Sequence, residues 1–164
     1  MRRVCFLVVL LLGVCGAASG QTKISGTVKC AKAEKQFAVE APDQPGHSFG
    51  VSQAKCTWSK PMTIEGLKNK EGVDSNHSEA TGMNATFRGL FVDTMENGDK
   101  AYYRYTGKGT MKKDGTMATA EDSWESTGGT GKLKGIKSKG TCKGKGNADG
   151  SVTWECQGEY QIAK

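Results

Sequence analysis

The sequence predicts an all-β protein: an antiparallel meander of strands that closes into a roughly eight-stranded barrel. The 164-residue chain holds 23 glycines and only three prolines. No segment shows the apolar periodicity of an amphipathic helix, whereas several alternating polar and apolar segments flank tight-turn signals. Consecutive hairpins of this kind form a meander, and closure into a barrel removes its exposed edges.

The first element in the chain is a predicted signal peptide, residues 1–20, to be cleaved before Gln21. It has two arginines, an apolar run and small residues ending at Gly20, which is the layout of a secretory signal. A lipid anchor on Cys15 is the less favoured alternative, because Val14 is not the small residue that such cleavage normally requires. Residues 21–164 are then a single extracytoplasmic domain, secreted or periplasmic, with no transmembrane segment.

The last hairpin sets the register of its two strands most clearly. If Ala148-Asp149-Gly150 is a three-residue loop with Gly150 in the left-handed conformation, Cys142 falls opposite Cys156. Lysines then face glutamates on one face of the hairpin, while glycines and large apolar residues share the other. The cysteine pair occupies a position where the backbones are close, so we predict a disulfide between Cys142 and Cys156.

The segment 30–56 gives a second, weaker cysteine pairing. Four cysteines remain after signal removal, and an even number in an exported protein favours two disulfides, although spacing alone allows three connectivities. A turn centred on Asp43 places Cys30 opposite Cys56. We therefore predict a Cys30–Cys56 bridge, with two nearby prolines leaving the length of the turn open.

The middle of the chain holds two further hairpins. Asn97-Gly98 is a strong hairpin signal, and a turn there aligns Leu90 and Val92 with Tyr103 and Tyr105 on one face. A turn at Asp114-Gly115 aligns oppositely charged residues on the outer face. These predicted ion pairs are Arg104 with Glu125, and Lys108 with Glu121.

The segment "WESTGGTGKLKGIKSKG", residues 124–140, carries a family resemblance. It resembles the strand, Gly-Gly-Thr-Gly turn and returning strand of the allene oxide cyclase and dirigent-like barrels, and still more the small exported bacterial proteins of unknown function with that barrel. The matching residues are Gly128, Gly129, Thr130, Gly131, Leu133 and Gly135. The resemblance implies an eight-stranded antiparallel barrel with a central, largely apolar cavity. It assigns no catalytic residue, and fold alone does not define function.

A lysine-rich window is the candidate for nucleic-acid binding. Residues 126–148 contain no acid and six lysines: Lys132, Lys134, Lys137, Lys139, Lys143 and Lys145. Two of these lysines face glutamates across the hairpin, and no aromatic residues interleave them as a stacking platform requires. We therefore interpret the window as a solvated strand face and predict no nucleic-acid partner.

Other short motifs indicate neither hydrolysis nor metal binding. Gly46-His47-Ser48-Phe49-Gly50 matches the serine-hydrolase G-x-S-x-G pattern, but no helix follows to form the required elbow. The two histidines, His47 and His77, show no spacing that brings them together with carboxylates or thiols. The glycine-rich "TGGTGKLKG" lacks the spacing of a phosphate-binding loop. We predict no metal and no cofactor.

Asp122 is the main candidate functional residue. The predicted register points it inward, where a carboxyl group is hydrogen-bonded or has a shifted pKa. It is then either a tyrosine-bound structural carboxyl, or bulged outward, or a polar anchor or general acid–base in an apolar cavity. The predicted ligand-lining residues are Tyr103, Tyr105, Asp122, Trp124, Trp154 and Tyr160.

Three functional hypotheses remain open on the sequence alone. The preferred one is a barrel that binds a small, largely apolar ligand in its interior. The second is an isomerase- or cyclase-type enzyme that uses a cavity carboxyl group, and the third is a structural surface or envelope protein with no ligand in its interior. The first two require a hollow barrel. No exposed apolar stripe in the sequence indicates an oligomeric state.

Overall fold

The computed structural model describes residues 21–162, so the predicted signal peptide lies outside the described residues. The chain forms strands β1 (Thr22–Cys30), β2 (Lys35–Glu40), β3 (His47–Lys60), β4 (Thr63–Ile64), β5 (Leu67–Thr81), β6 (Asn84–Met95), β7 (Lys100–Met111), β8 (Met117–Gly129), β9 (Ile136–Gly146) and β10 (Val152–Ile162). A single 3-10 turn at Gly131–Leu133 interrupts the β8–β9 connection. No helix within the described part of the chain is long and apolar enough to cross a membrane.

Eight of these strands close an antiparallel barrel, which confirms the predicted fold class. The order around the barrel is β3-β1-β10-β9-β8-β7-β6-β5, and pairing of β3 with β5 closes the circle. Strand β3 is long enough to pair with β5 along most of its length while its last residues pair with β1. The remaining strands extend this barrel, because β2 pairs with β3 and the short β4 pairs with the start of β5.

One end of the barrel, here called the closed end, holds the connections between β3 and β5, β6 and β7, and β8 and β9. Its core is apolar: Ile64 and Leu133 are fully buried, and Met95 is 1% exposed. Ile64 and Leu133 come from connections rather than from barrel strands, so these connections fold inward and fill the end of the barrel. Burial of such side chains is a main source of the stability of the fold.

The β9–β10 hairpin has the predicted register. Cys142 pairs with Cys156, and Gly150 has a φ of 79° in its three-residue loop. Both disulfides are present with the predicted pairing, Cys142–Cys156 and Cys30–Cys56. Each joins adjacent strands, so each bridge fixes the register of its strand pair.

The predicted register of the β6–β7 hairpin is wrong by one residue. Leu90 lies opposite Arg104 on the outer face of the barrel, and Val92 shares that face. The connection is a three-residue loop, because the Met95 N–H donates to the Asp99 carbonyl and Gly98 is left-handed with a φ of 89°. The predicted alignment requires a two-residue turn at Asn97-Gly98, and the extra loop residue moves every side chain of β6 to the other face.

Local irregularities compensate for two other loops whose centre or length differs from the prediction. The β2–β3 register is centred on Gln44 rather than on Asp43, and the irregular residues 31–34 absorb the difference so that Cys30 still faces Cys56. The loop around Gly115 also has three residues, since the Lys112 N–H donates to the Thr116 carbonyl. A register shift beside it restores the predicted pairs.

The outer wall carries the predicted ion pairs. Arg104 Nε lies 2.5 Å from Glu125 Oε1, and Lys108 Nζ lies 3.1 Å from Glu121 Oε1. Lys139, from the lysine-rich window, pairs with Glu159 at 3.4 Å. Apart from Glu159, which is 30% exposed, these side chains are more than half exposed, which agrees with a solvated strand face.

Candidate functional site

The other end of the barrel, here called the open end, contains a cavity of about 520 Å³. The cavity reaches the turns that follow β7 and β9, including Thr116 and Ala148, and it descends to Asp93. Small side chains line much of its upper wall: Ser52, Ala54, Ser78, Ala80 and Ala85. Its volume lies within the range of about 300–1,000 Å³ that is typical of small-molecule pockets.

The floor of the cavity is a buried polar cluster around Asp93, which is 1% exposed. Trp58 Nε1 donates to Asp93 Oδ1 at 2.9 Å, and Asn69 Nδ2 donates to Asp93 Oδ2. Burial raises the pKa of the Asp93 carboxyl to about 7, although these two hydrogen bonds favour its charged form. The Oδ1 atom of Asn69 is buried with no hydrogen-bond partner within residues 21–162.

Higher in the cavity, Tyr105 links two polar residues of β5. Its hydroxyl donates to Asp74 Oδ1 at 2.5 Å and accepts a hydrogen bond from Asn76 Nδ2 at 3.1 Å. Burial raises the pKa of Asp74 to about 6, and the hydrogen bond from Tyr105 opposes this rise. Burial and the nearby Asp74 carboxylate in turn raise the pKa of Tyr105.

Asp122 faces the cavity from β8, as the sequence predicts. Its Oδ1 atom is buried and has no hydrogen-bond partner in the described part of the chain. Burial raises the pKa of Asp122 to about 7; a hydrogen bond from the Cys142 backbone N–H opposes the rise, and the charge of Asp74 adds to it. The upper cavity therefore contains two carboxyl groups that titrate near neutral pH.

The structure brings most of the predicted ligand-lining residues together. Tyr103, Tyr105, Asp122, Trp124 and Trp154 all line the cavity. Tyr160 does not: it packs in the core of the closed end, where its hydroxyl accepts a hydrogen bond from the Glu65 backbone N–H at 3.2 Å. That these residues contact a ligand stays a prediction.

Sequence reasoning missed Asp74 and Asp93. The one-residue register error in the β6–β7 hairpin placed Asp93 on the outer face and so concealed it. Strand β5 gave no usable signal, because its inward positions are polar or small, while its one large apolar residue between 68 and 81, Val73, points outward. A corrected β6 register, in which Phe87 and Phe91 point inward, is the signal that could have found Asp93.

The hydrolase-like motif, residues 46–50, is not part of the polar cluster around Asp93 and does not form a nucleophile elbow. Ser48 lies within strand β3, with no helix after it. His47 is engaged by two carboxylates, since its Nδ1 lies 2.6 Å from Asp43 Oδ1 and its Nε2 lies 3.0 Å from Glu79 Oε1. These hydrogen bonds raise the pKa of His47 and lower that of Asp43, so the cluster ties the β2–β3 turn to β5.

The glycine-rich segment and the possible metal ligands are the remaining short motifs. Among residues 21–162 no group of three or more His, Cys, Asp or Glu side chains is arranged to hold a metal ion. The Gly-Gly-Thr-Gly segment binds within the protein: the Lys132 N–H donates to Asp99 Oδ2 at 3.0 Å, and the Lys100 N–H donates to the Thr130 hydroxyl at 2.8 Å. It therefore joins the β8–β9 connection to the β6–β7 turn.

Comparison with known proteins establishes the fold alone. The chain is similar to the crystal structure of a protein of unknown function of the DUF3224 family from Shewanella oneidensis MR-1, with a TM-score of 0.51 and 17% sequence identity. The match covers 88% of this chain and 99% of that protein. No protein-family model matches the sequence, and no match was found among curated proteins. The resemblance to allene oxide cyclase and dirigent-like barrels is not confirmed by this match.

Proposed function

We propose that this protein binds a small, largely apolar ligand in the open end of its barrel. The main observation in support is a contrast between the two ends of the barrel. The closed end is filled by its connections, whereas the open end contains a cavity of about 520 Å³. Aromatic side chains form part of the cavity wall, among them Trp58, Phe91 and Trp154. Such walls favour an apolar ligand, and a few polar groups give it an orientation.

The upper carboxyl groups are the polar anchor of this proposed site. Asp122 has an oxygen with no hydrogen-bond partner among the residues that the structure describes, and the Asp74 carboxyl accepts a hydrogen bond from the Tyr105 hydroxyl. A buried polar atom that lacks a partner is costly, so a ligand group that donates a hydrogen bond there gains more than it would in water. The preferred ligand is therefore an apolar molecule with one hydrogen-bond donor.

An extracytoplasmic location is part of the proposal. Two disulfides between neighbouring strands are stable in an oxidising compartment and uncommon in reducing ones. The predicted signal peptide leads to the same location. The disulfides are compatible with it and do not by themselves establish it.

Mass spectrometry of the secreted protein tests the proposal. Native spectra should show a species heavier than the chain with both disulfides, and denaturation should release the extra mass as a small molecule. The variant Ala80→Phe places a ring in the cavity wall without removing a buried contact, so it should fold and lose the extra mass. If the native mass equals that of the chain alone after expression in its own host, and apolar probes also fail to bind, a structural role is favoured instead.

A second candidate, an isomerase- or cyclase-type enzyme, is favoured by one observation. Asp122 and Asp74 have pKa values of about 7 and about 6, near the range in which a carboxyl group both accepts and donates protons at neutral pH. The variant Asp122→Asn separates the two functions. Retained ligand binding with lost turnover indicates catalysis, whereas weakened binding without any turnover in the wild type indicates an anchor.

A further inference from the structure

Within residues 21–162, strand β2 leaves one edge of the sheet free. It pairs with β3 on one side and is the last strand in the strand order. It lies beyond the residues through which β1 pairs with β10. All six of its residues, Lys35–Glu40, are exposed. An exposed edge strand is a template for pairing with a further strand.

Alternation of the ladder identifies the free main-chain groups. The Ala41 N–H donates to the His47 carbonyl at 2.9 Å, so in this antiparallel pair the odd-numbered residues of β2 direct their N–H and C=O groups toward β3. The groups of Gln36, Ala38 and Glu40 therefore point away from β3. They form a row of donors and acceptors available to a second strand.

An apolar cluster lies on the outer face beside this edge. Phe37 pairs with Val51 and Val39 pairs with Phe49 across β2 and β3. Phe37 is 74% exposed and Val39 is 68% exposed, the two largest values among the exposed large apolar residues. A monomer gains nothing from leaving these two side chains in water.

We propose that the partner of this edge is the β2 strand of a second copy of the chain, paired antiparallel about a two-fold axis that passes between the Ala38 residues of the two copies. In this register Phe37 lies opposite Val39 of the second copy, and Gln36 lies opposite its Glu40. The positions that have free main-chain groups then face each other, which gives about six new hydrogen bonds. The outer face becomes a continuous apolar surface over four strands.

Charge and size favour this register and a two-chain assembly. Lys35 and Glu40 lie at opposite ends of β2, so antiparallel pairing keeps Lys35 of one copy away from Lys35 of the other, and likewise keeps the two Glu40 residues apart. Pairing occupies the free edge of β2 on both copies, so the assembly stops at two chains. The interface consists of one pair of six-residue strands with its apolar cluster, which is small beside the roughly 1,200–2,000 Å² of stable specific interfaces, so the dimer is reversible.

Sedimentation of the secreted, disulfide-bonded protein over a wide concentration range tests the proposal. Wild type should shift from monomer to dimer with increasing concentration. Ala38→Pro removes a donor from the free edge but leaves the β3 ladder intact, since proline is tolerated at such edge positions. We expect it to raise the dissociation constant at least about tenfold, and Val39→Lys to do the same through the apolar pair.

Leu90→Lys is the matched control, because Leu90 is 57% exposed on the outer wall but lies on β6. It should leave the dimer unchanged. Amide exchange supplies a second measurement: at high concentration the amides of Gln36, Ala38 and Glu40 should exchange more slowly, with no change at Phe37. A wild-type monomer at every concentration, or a dimer unaffected by Ala38→Pro in a folded variant, overturns the proposal.

Discussion

The closed and open ends of the barrel are built from the same strands but use their inward residues differently. At the closed end, connections fold over the barrel and bury Ile64 and Leu133 completely. At the open end the turns stay at the rim, and small residues such as Ala80 line a cavity. The same eight strands thus give a packed core at one end and a hollow at the other.

Because of this difference, the residues that stabilise the barrel and the residues of the proposed site lie at different ends of the barrel. Apolar contacts at the closed end supply stabilisation, so the open end tolerates polar inward residues that a filled core would exclude. The carboxyl groups of Asp74 and Asp122 lie on the hollow side, and Asp93 lies at the boundary. Substitutions at each end should show whether the two ends respond as differently as their packing indicates.

The largest expected effect is a cavity in the closed end. Leu133→Ala removes a fully buried side chain and should lower the free energy of unfolding by about 2–5 kcal/mol. Met117→Ala, at the half-buried rim of the open end, should cost less than about 1 kcal/mol, because water already reaches that site. Urea denaturation measures both. Equal losses would mean that the open end is packed as tightly as the closed end.

The next effect concerns the pH dependence of stability at the boundary. The folded pKa of Asp93 is about 7, above its ordinary value of 3.8, so the folded state holds the proton more strongly. The stability that the folded protein gains from the protonated Asp93 carboxyl is complete below about pH 4 and is lost as the pH rises through about 7. The loss is on the order of 4 kcal/mol, from about 1.4 kcal/mol for each pKa unit.

Asp93→Asn tests this effect directly. An asparagine keeps an oxygen for the Trp58 N–H. The Asn69 Oδ1, which has no partner within residues 21–162, can accept from the new amide after rotation. The variant should be more stable than wild type at pH 8 and similar at pH 4, in unfolding curves measured across that range. Asp74 and Asp122 retain some pH dependence. A variant less stable at both pH values would show that the charged carboxylate is required.

The fold could be predicted from the sequence to the extent that turn and pattern agreed. In β9 and β10 a three-residue loop, a cysteine pair and matched charges all specify one register, and the structure has it. In β6 and β7 the Asn97-Gly98 signal was right about the existence of the turn and wrong about its length. A single loop residue reverses the faces of a strand, so this local ambiguity became an error in the core.

The candidate site was harder to predict for a related reason. Asp122 was found because a register shift beside the Gly115 loop restores the predicted β7–β8 pairs, although the loop is one residue longer than a two-residue turn. Asp74 was missed because the inward positions of β5 lack the apolar alternation that identifies a buried face. Binary patterning assumes that inward residues are apolar, and a strand that lines a hollow, partly polar cavity does not meet that assumption.

A smaller, local effect is expected at the rim of the open end, where His47 bridges Asp43 and Glu79. The pKa of His47 is raised in the folded protein. The stability gained from the protonated imidazole is therefore complete below its ordinary pKa of 6.5 and is lost as the pH rises through its pKa in the folded protein. Hydrogen exchange of the β2–β3 turn, corrected for intrinsic rates, should therefore increase over that range. His47→Gln should remove this pH response without altering the closed end. An unchanged response would assign it to other groups.

The smallest effect is expected on the outer wall, which the two ends share. Arg104 and Glu125 form an ion pair at 2.5 Å, yet their side chains are 66% and 52% exposed. Solvent screening and lost side-chain freedom reduce such a pair to at most about 1 kcal/mol. Arg104→Ala should thus change the urea midpoint slightly, and Lys108→Ala, which breaks the neighbouring pair with Glu121, should match it. A loss as large as that of Leu133→Ala would mean that the wall, rather than the closed end, carries the stability of the barrel.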